Sequence, residues 1–360
     1  MIYNLFKGIF SMKFLFLFIL LLSYNFSEPD ILIQTEPGEV SIFLKNRKIG
    51  ISDSKGLFYL KKELINSRRK NGYMSISFRK MGFVKQSLSF ANDKKIDSNI
   101  SVKMMSFFDF FDFVKISAGE FIMGSLDNEY KVWHEKPRHK VKISKSFYMM
   151  KFELTQKQWT TILSRNRSEF EGDDLPVENV NRLDIRKFLI ILNKKIGCKT
   201  PDTLKIIDQS GLDAINKGCY RLPTEAEWEY SARAGSNTIF SFGNSIASNQ
   251  ANFDGSQPYK TKLKSKNLLK TIKVGSYKAN DFGLFDMYGN VSEWCIDWFD
   301  TKFYTKGDVV DPVNIKESKQ KIIRGGSWAS WGKDLRSSHR FSLSPKFRGS
   351  SLGFRLVVIK

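Results

Sequence analysis

Beyond Val114 the chain carries three helix-start signatures, and the long stretches between them follow neither a helical nor a strand period. Thr155 with Gln158, Asn181 with Asp184 and Thr224 with Glu227 each set a capping side chain three residues before an acid or amide. That arrangement satisfies the free amides of a helix N-terminus. The second helix is the clearest, with Ile185, Phe188, Leu189 and Leu192 on one face and Gly197 placed to close it. The remaining segments are rich in Gly, Trp and short apolar runs. The expected class is α+β, with few helices and much irregular, turn-rich chain.

The segment before it reads differently. Apolar residues alternate through ILIQTEPGEVSIFL, YMSISFRKMGF, VKQSLSF and NISVKMM, with Gly, Asn and Pro between the runs, which predicts a small all-β domain over residues 30–105. TEPGEVSIFLKNRKIGISD followed by FRKMGF resembles the PEGA domain, a β-module of cell-envelope proteins. The apolar bridge FFDFFDF then leads into a second domain over residues 110–360. At the start, Lys7 and Lys13 precede FLFLFILLL, Phe14 to Leu22, and a polar exit. Residues 1–27 therefore read as a signal peptide or an N-terminal anchor, a run too short to span a bilayer comfortably. No cysteine follows it to carry a lipid. The expected location is exported, periplasmic or envelope-associated, or secreted, with a membrane tether through this segment as the alternative.

The chain has 58 Lys and Arg against 37 Asp and Glu, a net charge of +21. That balance favours anionic partners. The basic residues are scattered, however, and the densest run, Tyr259 to Lys273, lacks the glycines and stacking aromatics of a nucleic-acid platform, so no specific nucleic-acid partner is expected. Of three cysteines, Cys198 and Cys219 bound an insertion and are expected to pair in an exported chain, a closure that stabilises by roughly 3 kcal/mol. Cys295, between Trp294 and Ile296, reads as a buried filler.

ISAGEFIMGS, EKPRHKVKISKSFYMMKFELTQKQW, LPVENV, YRLPTEAEWEYSARAG, ANFDG, FGLFDMYGNVSEW, RGGSW and GFRLV occur in this order and resemble the formylglycine-generating enzyme, or sulfatase-modifying factor, family. The resemblance implies a variant of the C-type lectin fold. It also implies an oxidase that holds copper through two cysteines shortly after the GGS motif. Here the first of those positions is Ser330, and no thiol occurs after Cys295. A tryptophan of the family's site is replaced by Ser292. Soft thiolates are what copper(I) requires, so copper is not expected. The family's sulfur-histidine branch uses a histidine-rich iron site that this chain's three histidines do not supply. The resemblance does imply calcium at Asp286, Gly289, Val291 and Glu293, and more weakly at Asn252.

Two other constellations fail on inspection. HEKPRH holds a proline and one residue too many for a zinc-binding helical face, which leaves His139 structural. Ser327, His339 and Asp334 lack the strand-turn-helix setting of a nucleophile. What remains in RGGSWASWGKDLRSSHR is a lining without oxidase chemistry, with Ser327, Trp328, Ser330, Trp331 and Arg340 as candidate groove residues. The expected function is a binding, non-oxidase member of the family whose partner is a peptide, a glycan or an anionic envelope component. An enzyme of altered chemistry and a structural envelope protein are the alternatives.

Overall fold

The computed structural model describes residues 31–61, 64, 73–91, 99–130, 132–198, 218–304 and 307–359. Residues 1–27, read as a signal or anchor, lie outside the described residues, as does the interior of the insertion between Cys198 and Cys219. No described helix is long and apolar enough to cross a membrane. The chain divides into two compact units, Met1–Lys80 with Val84–Met104, and Met81–Phe83 with Met105–Lys360.

The first unit is built of strands. β1 (Ile31–Glu36), β2 (Ser41–Leu44), β3 (Arg47–Ile51), β4 (Leu57–Leu60), β5 (Tyr73–Arg79), β6 (Gln86–Ala91) and β7 (Asn99–Lys103) form two sheets, ordered β4-β1-β7 and β3-β2-β5-β6. The alternation in the sequence is realised as alternation in burial. Ile31, Ile33 and Thr35 of β1 point inward, as do Ile100 and Val102 of β7, the period-two consequence of a pleated strand. The β2–β3 hairpin closes through Lys45 and Asn46, both at positive φ, 47° and 68°. Two left-handed residues in a two-residue loop match the twist of the paired strands.

The second unit starts with a helix that the sequence reading missed. FFDFFDF, read as an apolar bridge, forms α1 (Phe107–Phe111), because the Ser106 hydroxyl accepts from the Asp109 amide at 3.1 Å and Phe107 and Phe111 are buried. Next come β8 (Phe113–Ile116), β9 (Gly119–Met123), β10 (His139–Ile143) and β11 (Phe147–Met150). The three capped helices follow where the signatures placed them: α2 (Gln156–Ile162), α3 (Arg182–Lys195) and α4 (Glu225–Arg233), each with its reciprocal capping box formed. Gly197, at φ 74°, follows α3. Cys198 and Cys219 are disulfide-bonded, their Cα atoms 5.6 Å apart.

The C-terminal strands are β12 (Ser292–Trp298), β13 (Val309–Val310), β14 (Lys321–Arg324), β15 (Phe341–Leu343), β16 (Leu352–Gly353) and β17 (Val357–Val358). They complete the sheets β13-β10-β9, β17-β11-β8 and β15-β14-β12-β16. α4 sits in the middle, and every one of its residues is buried. A helix that reads EAEWEYSAR tolerates this because each charge has a partner. Glu225 meets the Arg340 guanidinium at 2.7 and 2.8 Å, and Glu227 meets Arg221 at 2.6 and 2.7 Å. Glu229 takes Arg233 at 2.8 and 2.9 Å, Arg324, and the Gly124 amide at 3.0 Å. Removing one member of a buried pair strands the other, at a cost of about 3–5 kcal/mol. Glu229→Gln is therefore expected to lower the unfolding free energy by roughly that amount in urea titration, since two guanidinium groups lose their carboxylate. A loss below about 1 kcal/mol would show that the network is not a stabilising element.

Candidate functional site

The RGGSW stretch leaves β14 through two left-handed glycines, Gly325 at φ 91° and Gly326 at φ 69°. A Cβ on Gly326 would stand 2.8 Å from Leu335 Cδ1, so sterics and backbone conformation both demand glycine there. The turn docks on the Gly289-Asn290 corner, with the Gly289 amide donating to the Gly325 carbonyl at 3.0 Å and the Trp328 amide to Asn290 at 2.9 Å. It then closes on itself. The Ser330 amide donates to the Ser327 carbonyl at 3.0 Å, the Ser327 amide to Ser330 Oγ at 3.0 Å, and the two hydroxyl oxygens lie 3.3 Å apart.

Beside this turn lies a groove of about 560 Å³. Every strand of the β15-β14-β12-β16 sheet contributes to its lining: Phe341, Ile323, Ser292 and Leu352 respectively. Ser327, Ser330 and Trp331 line it as the sequence reading expected. Trp331 and Phe341 are about half exposed, at 49% and 53%. The sequence reading missed Phe341, Phe347 and Lys333; the apolar alternation in FSLSPKF was the available signal for the two phenylalanines.

Two expected groove residues are not in its lining. Trp328 donates its indole N–H to the Ser350 carbonyl at 3.0 Å and packs edge-on against Phe170. Arg340 is a correction: it is 1% exposed, paired with Glu225 and donating to the His134 carbonyl. Desolvating a guanidinium is unfavourable unless a carboxylate meets it, and Glu225 supplies that inside the domain. Arg336 is likewise enclosed, bound to Glu129 and Glu135 at 2.8 Å. His339 and Asp334 reach the same groove as Ser327, but His339 Nδ1 faces Glu135 at 3.4 Å. Among the described residues no hydrogen bond joins His339 to either serine, so the arrangement lacks the contact that activates a nucleophile.

The groove's donor set is one of hydroxyls. Its lining includes Ser292, Ser327, Ser330 and Ser351 and no cysteine. The free thiol, Cys295, is fully buried, and that burial pushes its ionisation well up. The residues present therefore do not fit copper(I), which needs exposed thiolates.

The calcium positions present a mixed fit. Both oxygens of Glu293 are taken by Arg355, at 2.7–2.9 Å, and one also accepts the Trp228 indole N–H at 2.9 Å. Asp286 is partly buried, and burial raises its carboxyl to about 6 even though the Gly275 amide donates to it at 2.6 Å. Burial, with Asp286 and Glu293 nearby, also raises Glu153. Three carboxylates thus share one guanidinium, a balance that suits a divalent cation. The ligand geometry does not, since among the described residues no three acidic, His or Cys side chains converge at metal-binding distance. Asn252 Oδ1 is a buried acceptor with no partner.

Glu178 was not singled out from the sequence. It is fully buried, and its Oε1 accepts from the Glu169 and Phe170 amides, holding the loop that packs on Trp328, while Oε2 has no partner. Burial pushes this carboxyl up to about 7, with the two amides pulling the other way.

Residues 106–360 match the family described as Sulfatase-modifying factor enzyme 1-like domain. Curated relatives include serine/threonine-protein kinase pkn1 of Chlamydia caviae, 30% identical over 252 residues, which cover 68% of this chain and 38% of that protein. The formylglycine-generating enzyme of Bos taurus is 28% identical over 276 residues, covering 67% of this chain and 73% of the enzyme. Among solved structures, Treponema denticola variable protein 1 superposes with a TM-score of 0.56 at 29% identity, covering 68% of this chain and 94% of that one. The chain spans little more than a third of the length of the chlamydial relative.

The Glu178 arrangement has a consequence for pH. Between the unfolded carboxyl value near 4.5 and the folded value of about 7, the folded state binds more protons than the unfolded one, so stability falls as pH rises. Glu178→Gln keeps the Oε1 acceptor and removes the charge. Chemical denaturation at pH 5 and pH 8 is expected to show a smaller pH 8 deficit in this variant than in the parent. An unchanged deficit would mean that Glu178 does not titrate in this window.

Proposed function

The chain belongs to the sulfatase-modifying factor enzyme 1-like family, and from that premise we propose that it binds a peptide in the groove beside Ser327 and Ser330 rather than oxidising a cysteine. The observation that carries this reading is the lining itself: a groove across four strand ends, apolar at Phe341, Ile323 and Leu352, hydroxyl-bearing at its turn and without a thiol. An extended peptide suits such a surface, because β15 is the last strand of its sheet and edge strands offer unpaired backbone groups. A glycan is the weaker fit, with Trp331 as its exposed stacking ring. An anionic envelope component is weaker still, because Arg324, Arg336 and Arg340 are all committed to internal carboxylates. The differing names of the relatives, a kinase, a formylglycine-generating enzyme and a variable protein, agree with a fold that does not fix one activity.

The reading extends to the rest of the chain. The basic and apolar N-terminal segment, together with a disulfide, suits an exported protein of the periplasm or cell envelope. The all-β first unit is taken as PEGA-like on its TEPGEV and FRKMGF stretches. Calcium enters as a structural ion beside Asp286, supported by the uncompensated negative charge there and not by a complete ligand set.

A sulfatase-motif peptide incubated with the protein, copper and reductant is expected to show no mass loss from aldehyde formation. Turnover abolished by Cys295→Ser would overturn the non-oxidase reading. Peptides selected from a library on the full chain are expected to lose about tenfold in affinity on Trp331→Ala, and selected peptides indifferent to that change would place the binding surface elsewhere. For the ion, millimolar calcium is expected to raise the melting temperature of the parent above that in chelator, and Asp286→Asn to remove the difference. Equal melting temperatures in the parent would sink the calcium proposal.

A further inference from the structure

At the lip of the groove the ammonium of Lys333 lies between two aromatic rings, 4.5 Å from the Tyr130 ring centre and 4.7 Å from that of Trp331. Both distances are within the reach over which a ring face attracts a cation. Both rings are about half exposed, at 49% each, so the pair is open to solvent ligands.

One loop holds both jaws. The Tyr130 amide donates to the Tyr259 hydroxyl at 2.9 Å, the Gly332 amide to the Gln257 carbonyl at 2.8 Å, and the Asp254 amide to Ser330 at 2.9 Å. The Tyr130 side is braced again through Glu129, which binds Arg336 at 2.8 Å. The charges nearby balance: Glu129, Glu135 and Asp334 are matched by Arg336, Lys333 and Lys260, whose ammonium donates to the Asn128 carbonyl at 2.7 Å, so the attraction for a cation comes from the two ring faces. Lys333 is tethered two residues from Trp331, and its seat is one that an external alkylammonium group could take.

We propose that Tyr130 and Trp331 form an aromatic clamp for an alkylammonium group, and that Lys333 occupies it as an internal competitor until a ligand displaces it. The inference deepens the groove reading, since Trp331 and Lys333 line both. It names a cationic feature of the ligand, a lysine side chain or a quaternary ammonium headgroup. An internal occupant lowers apparent affinity by the fraction of time it fills the site, so removing it is expected to strengthen binding.

The test is an NMR titration of the full chain, following the Trp331 indole resonance assigned by its loss in Trp331→Phe. Choline and N-acetyl-lysine amide are the two probes, and sodium chloride controls for ionic strength. Lys333→Met, with Lys333→Gln as a second variant, is expected to bind at least one probe with an apparent Kd about fivefold or more below that of the parent. Lys333→Arg should behave as the parent, because a guanidinium still fills the clamp. Adding Tyr130→Ala to Lys333→Met should abolish the saturable shift. A preference for choline would identify a headgroup-like ligand, and a preference for the lysine amide a peptide side chain. Equal affinity in parent and Lys333→Met, no binding to either variant, or full affinity without Tyr130 would each overturn the proposal. Selected peptides that still require Trp331 would leave the groove reading standing after such a failure.

Discussion

Among the described residues six guanidinium groups, those of Arg221, Arg233, Arg324, Arg336, Arg340 and Arg355, are withdrawn from solvent almost completely, and the second unit depends on each of them meeting a carboxylate. An unpaired buried charge costs several kcal/mol, whereas a pair with good geometry roughly breaks even. The pairs therefore act less as a source of net stability than as a condition on chain placement. They connect segments far apart in sequence: Arg336 reaches Glu129 across 207 residues, and Arg355 reaches Glu293 across 62. In a domain with short strands and much irregular chain, few ladders fix the loops. Ion pairs between loops and α4 do that instead, and they let a helix with three glutamates lie wholly inside the domain.

That condition decides what the groove presents. RGGSWASWGKDLRSSHR places its arginines on the scaffold side, with Arg324 against Glu229, Arg336 against Glu135 and Arg340 against Glu225. What remains toward the groove is Ala329, Ser330, Trp331 and the Lys333 ammonium, with Ser327 buried at the turn behind them. A segment that looks cationic as a string is thus mainly hydroxylic and aromatic as a surface. The charges that give the chain its positive excess lie elsewhere, as on the run from Tyr259 to Lys273, where the lysines at 260, 262, 264, 266 and 270 are exposed.

The helices and first-unit strands were legible because their signals are local. A capping box is written within four residues, and burial alternation within five or six. The Cys198–Cys219 bridge was legible from its place around an insertion. The site was half legible. Ser327, Ser330 and Trp331 are neighbours in sequence and share one turn, so one motif located them. Phe341 and Phe347 enter from a different strand and loop. Arg340 was misjudged because nothing within ten residues of it announces Glu225, 115 positions away. α1 was missed because it is only five residues long, too short for a helical period to be read from the pattern. Its signal was the Ser106 cap, a single residue.

The turn holds together without a thiol, and the structure shows why. At Ser330 the side chain's contacts are with its own turn: Oγ accepts the Ser327 amide and lies beside the Ser327 hydroxyl. A hydroxyl satisfies that amide better than a thiol, whose sulfur is a weak acceptor. The scaffold's requirements at this corner fall on other residues, namely the left-handed glycines 325 and 326, the Asn290 carbonyl that receives Trp328, and the Arg324–Glu229 pair beneath. None of them depends on what position 330 does chemically. The ion-pair scaffold and the groove chemistry are therefore separable, so the side chains lining the groove can change while the buried pairs stay in place.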